Sequence, residues 1–219
     1  MSNPLKKLSI IFFLVSTAIF AQNDFSFDYD YAIFRDEGTK VFLELYYSFS
    51  PQEMIFVKTT GGFEASGKLQ LDVSEKNSGK IFVAKDFKVP VILDDTSGNK
   101  KDFKLTGQIN LLLDSGTYIV KMTASDFNNS SKVNKAEEEI ILKPFPLNKV
   151  IMSTVELSTG ISKSTDESNI FYKNTLEVIP NPSNLFGNNL SKLYYYIELY
   201  NLNNAELGDK YSIVTVIAN

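Results

Sequence analysis

From Phe25 onward the apolar residues of this chain recur at every second position, and no segment longer than a turn or two carries them at helical spacing. Val41, Leu43, Leu45, Tyr47 and Phe49 share one face of a strand. Leu69, Leu71 and Val73 alternate with Gln70, Asp72 and Ser74, and the same beat returns in Ile109, Leu111 and Leu113 and in Tyr118, Val120 and Met122. Turn signals punctuate the runs at Thr60-Gly61-Gly62, Asn77-Ser78-Gly79, Ser97-Gly98-Asn99 and Asp114-Ser115-Gly116. Many short strands so separated predict an all-β chain built as an antiparallel sandwich. No cysteine is present, so burial rather than disulfides must hold it, and a composition 43% hydrophobic and 13% aromatic supplies the core.

One stretch narrows the class. Asp114-Ser115-Gly116-Thr117-Tyr118-Ile119-Val120 resembles the Asp-x-Gly-x-Tyr-x-Cys run of immunoglobulin-like domains, where the tyrosine hydroxyl bonds back to the backbone at a corner. The resemblance implies an immunoglobulin-like β-sandwich in which Val120 fills the core at the cysteine position. A boundary is expected at Lys143-Pro144-Phe145-Pro146, because two close prolines remove ladder donors and stiffen the chain. Residues 22–145 then form the sandwich. Residues 146–219 form a second β-sandwich module with four strands, at Val150–Leu157, Ile170–Ile179, Lys192–Asn201 and Tyr211–Ile217. Four strands are too few to close a sandwich, so this module is expected to be truncated and unstable alone.

The amino terminus speaks to location. Lys6 and Lys7 precede the apolar run Leu8–Ala21, which ends on small residues and reads as a secretory signal peptide over residues 1–21. At about 14 residues the run is short of the roughly 20 that cross a bilayer core. Loss of Lys6 and Lys7 reduces 22 basic residues to 20 against 26 acidic ones, a net charge of −6. That sign disfavours nucleic acid and anionic membranes as partners. An exported chain, in the periplasm or at the outer surface, is the expectation.

The segment Lys173–Ser183, with Leu185-Phe186-Gly187 and Tyr194–Asn201 after it, resembles the mid-region of the GWxTD-domain proteins of Bacteroidetes-type bacteria, and Phe27–Phe34 and Val41–Phe49 fit that family's opening strands. The resemblance implies an exported chain that begins with β-sandwich segments, and it carries no defined reaction. Two departures stand out. The chain has no tryptophan, so the Gly-Trp-x-Thr-Asp motif is absent, and Thr154 stands after Ser153 where the family tends to have an acid.

Chemistry is sparse. Without histidine or cysteine, Ser-His, Cys-His and histidine-zinc arrangements are excluded. Asp94-Asp95-Thr96-Ser97-Gly98-Asn99 lacks the ligand spacing of a calcium loop, and Gly61-Gly62 lacks the Lys and Ser/Thr of a phosphate loop. Asp28 and Asp30 share a face expected to be solvated. No catalytic, cofactor-binding or metal residue is therefore assigned. The one candidate interaction face is Tyr194, Tyr196, Glu198 and Tyr200, on one side of a strand whose other side carries Leu193, Tyr195, Ile197 and Leu199. It suits a protein partner, a missing C-terminal domain or a glycan. The expected function is a non-enzymatic structural or interaction scaffold of the bacterial cell envelope. The alternatives are a glycan-binding module using the tyrosine face, or an accessory region of an enzyme whose catalytic part lies elsewhere. Mass spectrometry of the exported form should find Gln22 at the amino terminus after cleavage at Ala21, with Ile19 the second choice; recovery of intact Met1 from the envelope would refute export by this route.

Overall fold

A computed structural model describes residues 25–187, 190–202 and 214–215. The expected leader, and most of the expected strand Tyr211–Ile217, lie outside the described residues. What is described is almost wholly β-structure, with a single 3-10 turn at Pro51–Glu53.

The first sheet joins β1 (Phe27–Arg35), β2 (Val41–Phe49) and β6 (Leu105–Leu113) in the order β1-β2-β6, every pair antiparallel. Facing it is a sheet centred on β4 (Gly62–Glu75). One edge of β4 pairs with β5 (Ile81–Leu93), and the other pairs with the short β3 (Val57–Thr59) and then with β7 (Gly116–Asp126), which pairs in turn with β8 (Asn129–Leu142). In the letters used for immunoglobulin-like sandwiches these are A-B-E against C′-C-F-G. Pro90 sits in β5, an outer strand, where a missing ladder donor costs least.

Alternation decides the core. Val41, Leu43, Leu45 and Phe49 from the first sheet meet Leu69, Leu71, Val73, Val120, Met122 and Ile140 from the second, all buried. Gly67 and Gly107 leave no room for a Cβ, because the rings of Phe49 and Tyr47 lie directly over them. The chain crosses between sheets at Asp114-Ser115, and there the Tyr118 hydroxyl donates to the Asp114 carbonyl at 3.0 Å while Val120 is 0% exposed. The corner expected from the Asp114–Val120 run is present.

Beyond the Pro144–Pro146 connector the chain forms β9 (Ile151–Met152), β10 (Glu156–Lys163), β11 (Tyr172–Lys173), β12 (Leu176–Pro180), β13 (Tyr194–Tyr196) and β14 (Leu199–Tyr200). A sheet ordered β11-β12-β10-β13 and a small β14-β9 ladder result. Three expected strands are divided. Val150–Leu157 is split between β9 and the start of β10, which lie in different sheets. Ile170–Ile179 is a hairpin turning at Asn174 and Thr175, both left-handed (φ 48° and 69°), and Lys192–Asn201 breaks at Ile197-Glu198 so that its halves join different sheets. Asn accepts the left-handed region readily and Thr does not, so no glycine signalled the turn.

The β10–β13 sheet packs on the outward face of β1 and β2. Ala32, Phe34 and Tyr46 join Val178 and Tyr196 in a second core, with Phe42, Ile161 and Leu176 against it. As a result β2 is buried along almost its whole length on both faces. Substituting Val120→Asp should cost several kcal/mol by leaving an unpaired charge in the main core, and Tyr118→Phe about 1 kcal/mol through the lost corner bond. Urea unfolding of the two variants measures both.

Candidate functional site

The junction between the sandwich and the added sheet is where polar chemistry concentrates. Tyr196 and Tyr200 are each 8% exposed, Tyr194 and Glu198 are half-buried, and Tyr195 on the opposite side is exposed. The alternation read from the sequence therefore holds, but its sense is reversed. The Tyr196–Tyr200 side of the strand is turned onto the first sandwich rather than left open for a partner or a glycan. Phe34 and Phe145, which pack on Tyr196 and Tyr200 with ring centroids 5.9 and 5.2 Å away, account for the burial.

Glu198 organises this strip. Its carboxylate accepts from the hydroxyls of Tyr196 (2.8 Å) and Tyr200 (2.6 Å) and from the Asn174 amide (3.0 Å), while its backbone pairs with Ser153. Burial, followed by the bond to Glu198, pushes the phenol of Tyr196 above its ordinary range, and Tyr200 responds in the same way. The guanidinium of Arg35 lies over the Tyr200 ring, 4.4 Å from its centroid, and donates to Asn201 Oδ1 at 2.7 Å.

A second group, not anticipated from the sequence, lies deeper. The Lys173 ammonium, presented by the tight Asn174–Thr175 turn, donates to Glu44 Oε2 on β2, to Glu156 Oε2 on β10 and to the Tyr46 hydroxyl at 3.1 Å. Tyr46 in turn donates to Glu44 Oε2 at 2.5 Å. The rings of Phe34, Tyr46 and Tyr196 surround Nζ at 4.9, 5.1 and 5.6 Å from their centroids. Lys173, Glu44 and Glu156 are all buried, at 8%, 4% and 0% exposure, and Glu156 Oε1 has no hydrogen-bond partner. Burial pushes the Glu156 carboxyl up to about 7 despite the pull of Lys173, with Glu44 adding to the rise. A signal existed in β2: Glu44 shares its face with Phe42 and Tyr46, an unusual setting for a solvated acid.

The Asp28–Asp30 face is half-buried. Asp28 accepts from Lys104 at 2.9 Å and Ser48 at 3.1 Å, at the floor of a cleft of about 560 Å³ closed on its other side by Asn181, Pro182, Phe186 and Leu190. Burial raises the Asp30 carboxyl. Among the described residues no group of three or more acids could hold a metal, and no helix is long and apolar enough to cross a membrane. Compared with known proteins, the chain matches no family model, no curated protein and no solved structure.

Glu156 gives the fold a pH dependence of definite sign. A carboxyl at about 7 when folded and near 4.5 when unfolded binds more protons in the native state between those values, so stability falls as pH rises through this window. The loss should reach roughly 3 kcal/mol above the window, and Asp30 acts in the same direction at the acid end. Denaturant melts at about pH 5 and about pH 8 should show it, and Glu156→Gln should flatten the difference.

Proposed function

We propose that the chain is an exported, non-catalytic scaffold of the bacterial cell envelope, in which a β-sandwich and an added β-sheet are joined into one stiff unit that holds or spaces partner proteins. The junction carries this reading. The ionisable side chains that converge in it, Lys173, Glu44 and Glu156, are sealed from solvent and spend their hydrogen bonds on one another. Such groups stiffen a joint rather than meet a substrate.

Support for a partner-holding role comes from β5. It carries Ile81, Phe82 and Ile92 exposed on an outer strand of the second sheet, while Lys85, Lys88 and Pro90 limit indiscriminate pairing along the same strand. The loose likeness of Lys173–Ser183 and Tyr194–Asn201 to GWxTD-domain proteins points to the same compartment.

The test is a photo-crosslinking amino acid placed at Ile81 or Ile92 in the native host. The reading expects the protein in the envelope fraction and a discrete crosslinked adduct with another envelope protein. Recovery from the cytoplasm, or crosslinks no different from those of an exposed control position such as Leu185, would overturn it.

A further inference from the structure

We propose that Lys173 and Glu44 condense into an intramolecular amide that joins the added sheet covalently to β2, with Glu156 as the proton relay. This inference goes beyond the scaffold reading and does not depend on it.

The geometry is that of a preassembled reaction. Nucleophile, electrophile and acid come from β11, β2 and β10, and Nζ touches a carboxylate oxygen of each glutamate. Intramolecular reactions between well-oriented groups reach effective concentrations of about 10⁵ M or more, and contact of this kind is the first requirement for such a gain. Three aromatic rings stand around Nζ, and Lys173, Glu44 and Glu156 are all buried.

The equilibrium is shifted as well. In bulk water an ammonium and a carboxylate resist condensation because hydration stabilises both ions. Here burial has stripped most of that hydration, which leaves each charged form at a disadvantage. Condensation turns two ions into one neutral amide and expels an oxygen from a cluster that lacks donors, as the unpartnered Glu156 Oε1 shows. The amide oxygen keeps the Tyr46 hydroxyl as its donor, and the amide N–H faces Glu156 Oε2. The chain has no cysteine with which to make a covalent tie of another kind.

The step balances without a cofactor. Lys173 gives one proton to Glu44, leaving a neutral amine beside a carboxylic acid. The nitrogen lone pair forms the Nζ–Cδ bond and the carbonyl opens to a tetrahedral centre. Glu156 in its acid form protonates the departing Glu44 oxygen and takes a proton from nitrogen. The Cδ–O bond breaks, water leaves, and Glu156 ends as it began. A carboxyl held near 7 carries either proton at neutral pH. Glu44 is the electrophile because the Tyr46 hydroxyl donates to its Oε2, a donor already placed on the oxygen where charge develops as the carbonyl opens.

Intact-mass measurement of the denatured full chain, with its amino terminus determined, tests this directly. The expected mass is one water below that of the unlinked chain, and digestion should yield a branched peptide through Lys173 and Glu44. Glu44→Gln should reach the same linked mass by losing ammonia instead. Lys173→Arg should abolish the loss, and Glu156→Gln should abolish or greatly slow it while circular dichroism shows the fold retained. A wild-type chain of full mass with Lys173 and Glu44 in linear peptides would overturn the proposal, as would a branch from Lys173 to Glu156. Unimpaired linkage in Glu156→Gln would overturn the relay.

Discussion

The burial of β2 on both faces is the condition on which the rest of the architecture depends. An antiparallel sheet ordinarily keeps one face wet, and residues such as Glu44 and Ser48 on the outward side of β2 would then need no partners. Once the β10–β13 sheet covers that side, its polar groups must be satisfied from within: the Lys173 ammonium and the Tyr46 hydroxyl meet Glu44, and Ser48 donates to Asp28. Apolar contact between Phe34, Tyr46, Val178 and Tyr196 brings the layers together, but it also makes an unpaired Glu44 untenable. Packing and ion pairing in this junction are therefore one constraint.

The same covering solves an edge problem. β1 is an outer strand of its sheet, and its outward N–H groups at Tyr31, Ile33 and Arg35 have no neighbouring strand to receive them. Asp30 Oδ1 takes the first at 2.8 Å, Thr154 Oγ1 the second at 2.5 Å and the Tyr200 hydroxyl the third at 3.0 Å. Thr154 also donates its own N–H to the Ile33 carbonyl. A hydroxyl at position 154 both accepts from Ile33 and leaves the site uncharged, which an acid would not. An edge that could recruit another chain is thus closed by the protein's own second half.

The sandwich was legible because each of its signals is local. Val41 to Phe49, Leu69 to Val73 and Tyr118 to Met122 carry a period of two that survives folding unchanged, and the Asp114–Val120 corner is written within seven consecutive residues. The junction was not legible, because its determinants are 129 residues apart between Glu44 and Lys173 and appear in sequence as ordinary surface charges. The tyrosine strand shows the limit most clearly. Periodicity assigned Tyr196 and Tyr200 to a common side, but period alone does not say which side faces protein; that was settled by Phe34 and Phe145, contributed by other elements. The hairpin at Asn174-Thr175 escaped notice because no glycine marks it, an asparagine and a threonine taking the left-handed positions.

The Pro144–Pro146 connector marks a change of sheet along the chain, yet packing does not stop there. Phe145 lies against both the main core and Tyr200, and Asn201 donates to the carbonyls of Pro146 and Lys149, so the connector is pinned at both ends. Relative motion of the two halves would have to break these contacts together with the bonds to Ile33 and Arg35 and expose the buried Lys173, Glu44 and Glu156. Ions can separate without cost only where water is ready to receive them, and the ring of Phe34, Tyr46 and Tyr196 withholds it. Without a covalent link the joint resists opening because its failure would proceed through a dry, charged intermediate; with one, a covalent bond would hold the two halves together there instead.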